Sequence, residues 1–313
     1  MLTTIVHFYF LLVVVTTATC DEDWNYFGEP SSNFAKDVNL IYYKCNNETP
    51  ATIAYPITAP EGLLNVLEDK RTIFYVFGFL QFPEDENVKL MMKALCYGRT
   101  DNIVLLDWSK YSIISTEVKI LNVLYPIAFL RAHGIGKLFG QSIRQLVNSG
   151  LNVSNIYLVG YSLGAHIAGI AARCNNDNFT IPRIIGLDPA NRAFSLGLGY
   201  YLRSTDAAWV DVIHTDMGRY GTSFRSGTAD YYPNNGRCPQ PGCSPGIPLT
   251  QRDICCHQKS VVLYAESKMN PTNFSATQFF YCPILLICKR KVEINFGYGA
   301  SKRIGSYYFD TTP

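Results

Sequence analysis

The sequence predicts an α/β fold: a largely parallel central sheet with helices on both faces. Two observations carry this reading. Short apolar runs alternate with longer stretches of helical periodicity. Runs such as Ile103-Val104-Leu105-Leu106 and Ile156-Tyr157-Leu158-Val159 are also apolar at every position, as expected of strands buried on both faces. With 48% hydrophobic and 17% charged residues, the chain has ample material for a core. Its 313 residues show no linker, repeat or low-complexity stretch, which suits one large domain.

In chain order, the predicted strands are Thr72–Phe77, Asn102–Asp107, Asn155–Gly160, Arg183–Leu187 and Trp209–His214. Helical patterns lie between and after them, near Val88–Leu95, Ile120–Ser149, Gly164–Arg173 and Gln258–Met269. Gly134 and Gly136 are expected to break the second helix, because glycine weakens a helix interior. From Asp216 to His257 the sequence is rich in glycine, proline and cysteine and has little periodicity. It reads as a long loop, of the kind that is functional or stapled.

The first twenty residues differ from the rest. An apolar run from Phe8 to Val15 is followed by small and polar residues, and the segment holds no acid, lysine or arginine. A bilayer crossing needs roughly 20 apolar residues. Residues 1–20 therefore read as a secretory signal cleaved near Cys20, leaving 21–313 as a single domain. Four sequons, beginning at Asn47, Asn152, Asn178 and Asn273, and ten cysteines agree with a secreted, extracellular protein. A net charge of +2 argues against nucleic acid as a partner. The basic run Lys289-Arg290-Lys291 reads as a solvated face.

The strongest chemical signal is Gly160-Tyr161-Ser162-Leu163-Gly164, set between an apolar strand and a helix-forming run. This is the nucleophile elbow of α/β-hydrolases: a turn so tight that side chains beside the serine would clash. A serine nucleophile needs a base, and the base needs an orienting acid, in the chain order Ser, Asp, His. Asp188 follows the strand Arg183–Leu187 directly, which places a carboxylate at the same sheet edge. Among the five histidines, His7 leaves with the signal, His133 precedes the serine, and His166 sits in the elbow helix. His214 and His257 remain. His214 ends a buried strand and suits a structural or supporting role, whereas His257 is expected in an adjustable loop beyond Cys255-Cys256.

Five segments follow one another in fixed order: 160–169, 186–190, 210–216, 230–236 and 255–260, the last reading Cys-Cys-His-Gln-Lys-Ser. Together they resemble the pancreatic lipase family, including its insect phospholipase A1 and yolk-protein branches. The likeness runs from about Asn65 to the tail near Asp310. It implies Ser162 as nucleophile, Asp188 as acid and His257 as base, with His214 structural. It also implies an oxyanion hole from the amides of Leu163 and Phe79. The segment Phe77-Gly78-Phe79 resembles the family's His-Gly-Phe, with Phe77 in place of the histidine and a loop-steadying side-chain hydrogen bond lost.

The resemblance carries further expectations. The family's lid cysteines map to Cys243 and Cys255, and the short segment Ser244–Ile254 between them contains two prolines, so no long lid helix can form. A short lid is similar to the phospholipase A1 branch. The substrate expected is a phospholipid cleaved at the sn-1 ester, presented in lipid aggregates or at a membrane surface. Triacylglycerol lipase is the alternative, and a non-catalytic yolk-like binding protein the second. Only Asp206 falls in register with the family's calcium loop, so neither metal nor cofactor is expected, and no obligate protein partner is evident. With the sequence running to Pro313, the C-terminal β-sandwich of vertebrate members is not expected. Expected disulfides are Cys45–Cys96, Cys243–Cys255 and Cys282–Cys288, with Cys174–Cys238 a weaker pairing and Cys256 left over.

Overall fold

The computed structural model describes residues 36–45, 50–112, 121–191, 200–244, 246, 250–279 and 291–311. Residues 1–20, read above as a signal, and Asn47, Cys282 and Cys288 lie outside them. Among the described residues, no helix is long and apolar enough to cross a membrane.

The five apolar runs become neighbouring parallel strands: β3 (Thr72–Val76), β4 (Asn102–Asp107), β5 (Ile156–Tyr161), β6 (Arg183–Leu187) and β7 (Val210–Ile213). Among the described residues they form the middle of an eleven-stranded sheet in which β8 (Ala229–Pro233) and β11 (Gly305–Phe309) extend the parallel block. Each edge is finished by an antiparallel pair of strands. One is β1 (Asn39–Lys44) with β2 (Ala51–Pro56), and the other is β9 (Ser275–Phe279) with β10 (Lys291–Asn295). The stretch read as one long loop thus contains strand β8, whose Tyr231 and Tyr232 are both buried.

Registers place the strand ends together. Val76 pairs with Gly160, Tyr161 with Leu187, and Leu187 with Ile213. The residues just beyond these strands, namely Phe77-Gly78, Ser162, Asp188 and His214-Thr215, therefore emerge at one edge. Helix α1 (Glu86–Cys96) lies between β3 and β4 in the chain and contacts β4, and the short α2 (Ser109–Ser112) comes after β4. Helix α3 (Leu121–Asn148) packs against α4 (Leu163–Arg173), while α1 packs against α5 (Gln251–Met269). Strands β3 and β6 are buried at every position, so both faces are covered, one by each helix pair. Phe74 of β3 meets Phe139 of α3 edge-on, with ring centroids 5.6 Å apart. Burial of each such side chain contributes roughly 1.5–3 kcal/mol.

Two expectations about helices need correcting. Helix α3 runs unbroken through Gly134 and Gly136. A Cβ at Gly136 would lie 2.8 Å from Ile170 Cβ, so this glycine admits α4 to close contact and does not end the helix. The last helix also starts earlier than expected. It begins at Gln251, capped by Thr250, whose hydroxyl accepts from the Asp253 amide, with Asp253 favourably placed in the first turn. His257 therefore sits within α5, and not in a loop before it.

Candidate active site

Ser162 occupies the turn between β5 and α4 with φ 55° and ψ −119°, a conformation that costs a non-glycine residue on the order of 1–3 kcal/mol. Its neighbours make this turn possible. A Cβ at Gly160 would come within 2.3 Å of Gly164 O, and one at Gly164 within 2.1 Å of Val76 O. Only glycine fits where helix and strand approach this closely. The Ser162 amide donates to Leu187 O at 3.0 Å, which ties the elbow to the strand that leads to Asp188.

Asp188 is fully buried and also has a positive φ, 43°. Its Oδ1 accepts from the amides of Thr215 at 2.9 Å and Asp216 at 3.3 Å, the residues just past β7. Its Oδ2 accepts from His257 Nδ1 at 2.6 Å. The other ring nitrogen, His257 Nε2, lies 2.8 Å from Ser162 Oγ, which donates to it. Serine, imidazole and carboxylate thus form a continuous relay in which Asp188 fixes the tautomer. Ser162 is 8% exposed and His257 6%, so the relay is shielded but reachable.

The imidazole is held on several sides. Tyr161 and Tyr220 flank it, with ring centroids 4.9 and 5.7 Å away. Tyr220 and Arg219 bond to Asp253 in the first turn of α5. Two disulfides anchor the residues immediately before it: Cys243–Cys255 and Cys238–Cys256. The second corrects the expectation of a free Cys256 and of a Cys174–Cys238 pair. Cys174 is itself disulfide-bonded, but not to Cys238. Cys45 is joined to Cys96.

Leu163 opens α4, so its amide is one of those a helix N-terminus leaves without an internal partner. The segment Phe77-Gly78-Phe79 runs directly alongside, since a Cβ at Gly78 would be 2.9 Å from Ser162 Cβ. The helix N-terminus at Leu163 and the segment that carries Phe79 thus both lie beside the serine. Phe77 is fully buried and stacks on Trp108 at 6.1 Å.

The remaining residues of interest have structural partners. His214 Nε2 bonds to Asp230 at 2.9 Å in a fully buried pair, away from the relay. His166 donates from Nε2 to Ala190 O and accepts the Leu202 amide at Nδ1. Burial lowers its pKa to about 4, so it stays neutral behind the elbow. Asp206 pairs both oxygens with Arg173 at 2.9 Å. Asn152, Asn178 and Asn273 are exposed. Sequence reasoning missed Gly221, where a Cβ would strike Asp188 Oδ1 at 2.3 Å, and Asp216. Burial first, and the charge of Asp188 second, push the Asp216 carboxyl up to about 6. No local signal marks either position, because both act through a chain-distant carboxylate.

Comparison with known proteins bears on this geometry. Lipase member H of Mus musculus is 32% identical over 245 residues, covering 76% of this chain and 50% of that protein. Pancreatic triacylglycerol lipase of Sus scrofa is 32% identical over 272 residues, covering 77% and 56%. Phospholipase A1 of Vespa crabro is 34% identical over 201 residues, covering 63% and 65%. The chain spans about half the length of the lipase H relatives. The Lipase family profile matches residues 25–282, well over half of the sequence, and on that match the chain belongs to the Lipase family.

Proposed function

We propose that this protein is a secreted serine carboxylic ester hydrolase that cleaves glycerolipids, with Ser162 as nucleophile, His257 as base and Asp188 as orienting acid. The observation that carries the reading is the relay of 2.8 and 2.6 Å that joins the three side chains. His257 Nε2 takes the hydroxyl proton as Ser162 Oγ attacks the ester carbonyl, and Asp188 stabilises the imidazolium that results. The amides of Leu163 and Phe79 donate hydrogen bonds to the carbonyl oxygen as negative charge develops on it. His257 then gives its proton to the departing alcohol, leaving an acyl-serine. Water, deprotonated by the same imidazole, attacks this ester and releases the fatty acid.

Phospholipid cleaved at the sn-1 position is the preferred substrate. Support comes from the short lid segment between Cys243 and Cys255, closed at both ends by a disulfide. It can shield little of an apolar cleft in water, so activity needs no opening step at a lipid surface. A solvated head group fits the open side better than the third chain of a triglyceride. The match to pancreatic triacylglycerol lipases favours a second reading, a true lipase. Fatty-acid release from phosphatidylcholine and from a medium-chain triglyceride, below and above aggregation, separates the two. Preference for phosphatidylcholine without a jump is expected. Preference for triglyceride with a sharp rise at aggregation restores the lipase. Export and glycosylation at the exposed Asn152, Asn178 and Asn273 complete the proposal, with glycosidase-sensitive mass as its check.

A further inference from the structure

We propose that Gln81 and Trp108 are positioning residues for the oxyanion-binding loop, bracing the Phe77–Gly78 peptide from both sides. The inference rests on the ester-hydrolase reading and adds to it. Trp108 Nε1–H donates to Phe77 O at 3.1 Å, and the Gly78 N–H donates to Gln81 Oε1 at 2.8 Å. These acceptor and donor atoms belong to one planar amide unit. Rotation of that plane breaks both bonds at once. Gln81 is 6% exposed and Trp108 fully buried, so neither bond is readily replaced by water.

Such a brace is needed at this place. Gly78 must be glycine because a Cβ would press on Ser162, yet glycine resists backbone rotation least of all residues. The next amide along the chain is that of Phe79, the second oxyanion donor. If the Phe77–Gly78 plane rolls, the Phe79 N–H swings away from the serine. The chain brings Gln81 back to Gly78 through Leu80, which takes the strained φ of 56°. Phe77, standing where the family motif has histidine, cannot hydrogen-bond through its side chain. It stacks on the same Trp108 whose indole holds its carbonyl.

The test compares Gln81→Met, which keeps the length and loses the acceptor, with Gln81→Glu, which keeps both. A soluble short-chain ester is the substrate, and a trifluoromethyl ketone that adds to Ser162 reports oxyanion binding. Loss of a whole oxyanion donor costs about 10²–10³-fold in kcat, so displacing one should cost about 10- to 100-fold. Gln81→Met is expected to lower kcat by that factor with KM little changed, and to weaken the ketone in parallel. Gln81→Glu is expected to restore both. Should Gln81→Met fail to fold, Trp108→Phe keeps an aromatic ring beside Phe77 and removes the indole donor together with some buried volume, with the same loss of kcat and of ketone binding expected. A folded Gln81→Met with wild-type kcat, or a Glu variant as slow as the Met variant, overturns the proposal. Wild-type protein inactive on every ester would instead sink the ester-hydrolase reading. Amide exchange at Gly78 then decides the brace alone: faster in Gln81→Met than in wild type supports it, equal rates reject it.

Discussion

Ser162 and His257 stand 2.8 Å apart, yet different forces hold the two sides of that contact. The serine side is set by close backbone packing. Gly160 and Gly164 let β3, β5 and α4 approach so tightly that the elbow has no other course. The histidine side is framed less by backbone packing, although Gly221 abuts the Asp188 carboxylate. It depends on two disulfides, on the amides of Thr215 and Asp216 that hold Asp188, and on contacts of Arg219 and Tyr220 with Asp253. One half is specified mainly by what cannot fit, the other mainly by links between residues far apart in the chain. The first should fail by misfolding when altered, and the second by losing position while the sheet survives.

The sharpest way to probe this is at the meeting point. Ser162→Ala should abolish ester hydrolysis, by about 10⁴-fold or more, in protein with an unchanged circular dichroism spectrum. Turnover near wild type would remove the serine mechanism. A smaller but global effect is expected for Gly164→Ala. The new methyl would meet the carbonyl oxygens of Val76 and Phe77, which belong to the backbone and cannot swing aside. A loss of about 3 kcal/mol or more is expected in urea denaturation. A cost below about 1 kcal/mol would mean that the elbow is looser than its geometry.

On the histidine side, the double change Cys238→Ala with Cys256→Ala removes one staple and leaves the other. It should cost about 2–4 kcal/mol, read as a shift of the urea midpoint, with the secondary structure retained. Loss of the folded state altogether would erase the contrast between the halves. The smallest effect concerns Asp216, whose carboxyl ordinarily titrates at 3.8 and is raised here to about 6. Between these values the folded chain binds more protons than the unfolded one. The associated stability is therefore full below about 4 and is lost as pH rises through 6. Asp216→Asn should gain stability relative to wild type between pH 4 and pH 7.5. Equal differences in melting temperature at both pH values would show that Asp216 does not titrate in this window.

The same division explains what is legible in the sequence. The elbow is local: strand, glycine, serine, glycine and helix lie within a few residues, and Asp188 comes directly after an apolar run. Helix α5 is harder to place, because its first turn is polar and is preceded by prolines at 245 and 248, which point to a loop. The Cys238–Cys256 bridge depends on three-dimensional proximity that no spacing rule supplies. Gly136 reads as a helix breaker in the sequence because its partner, Ile170, comes from another helix. Strand β8 is hidden among glycines and prolines, and its pairing with β11 joins residues more than seventy positions apart.

Cys238–Cys256 spans 18 residues and Cys243–Cys255 spans 12, so the smaller ring lies inside the larger. Closing a loop costs entropy that grows only as the logarithm of its length. Once the outer ring is closed, the ends of the inner ring are already neighbours, and the two contributions are not additive. In an unfolded but oxidised chain, the segment leading to His257 thus remains a small preassembled knot. Refolding from that state requires this knot to dock as a unit, whereas a reduced chain must find the same turn by searching.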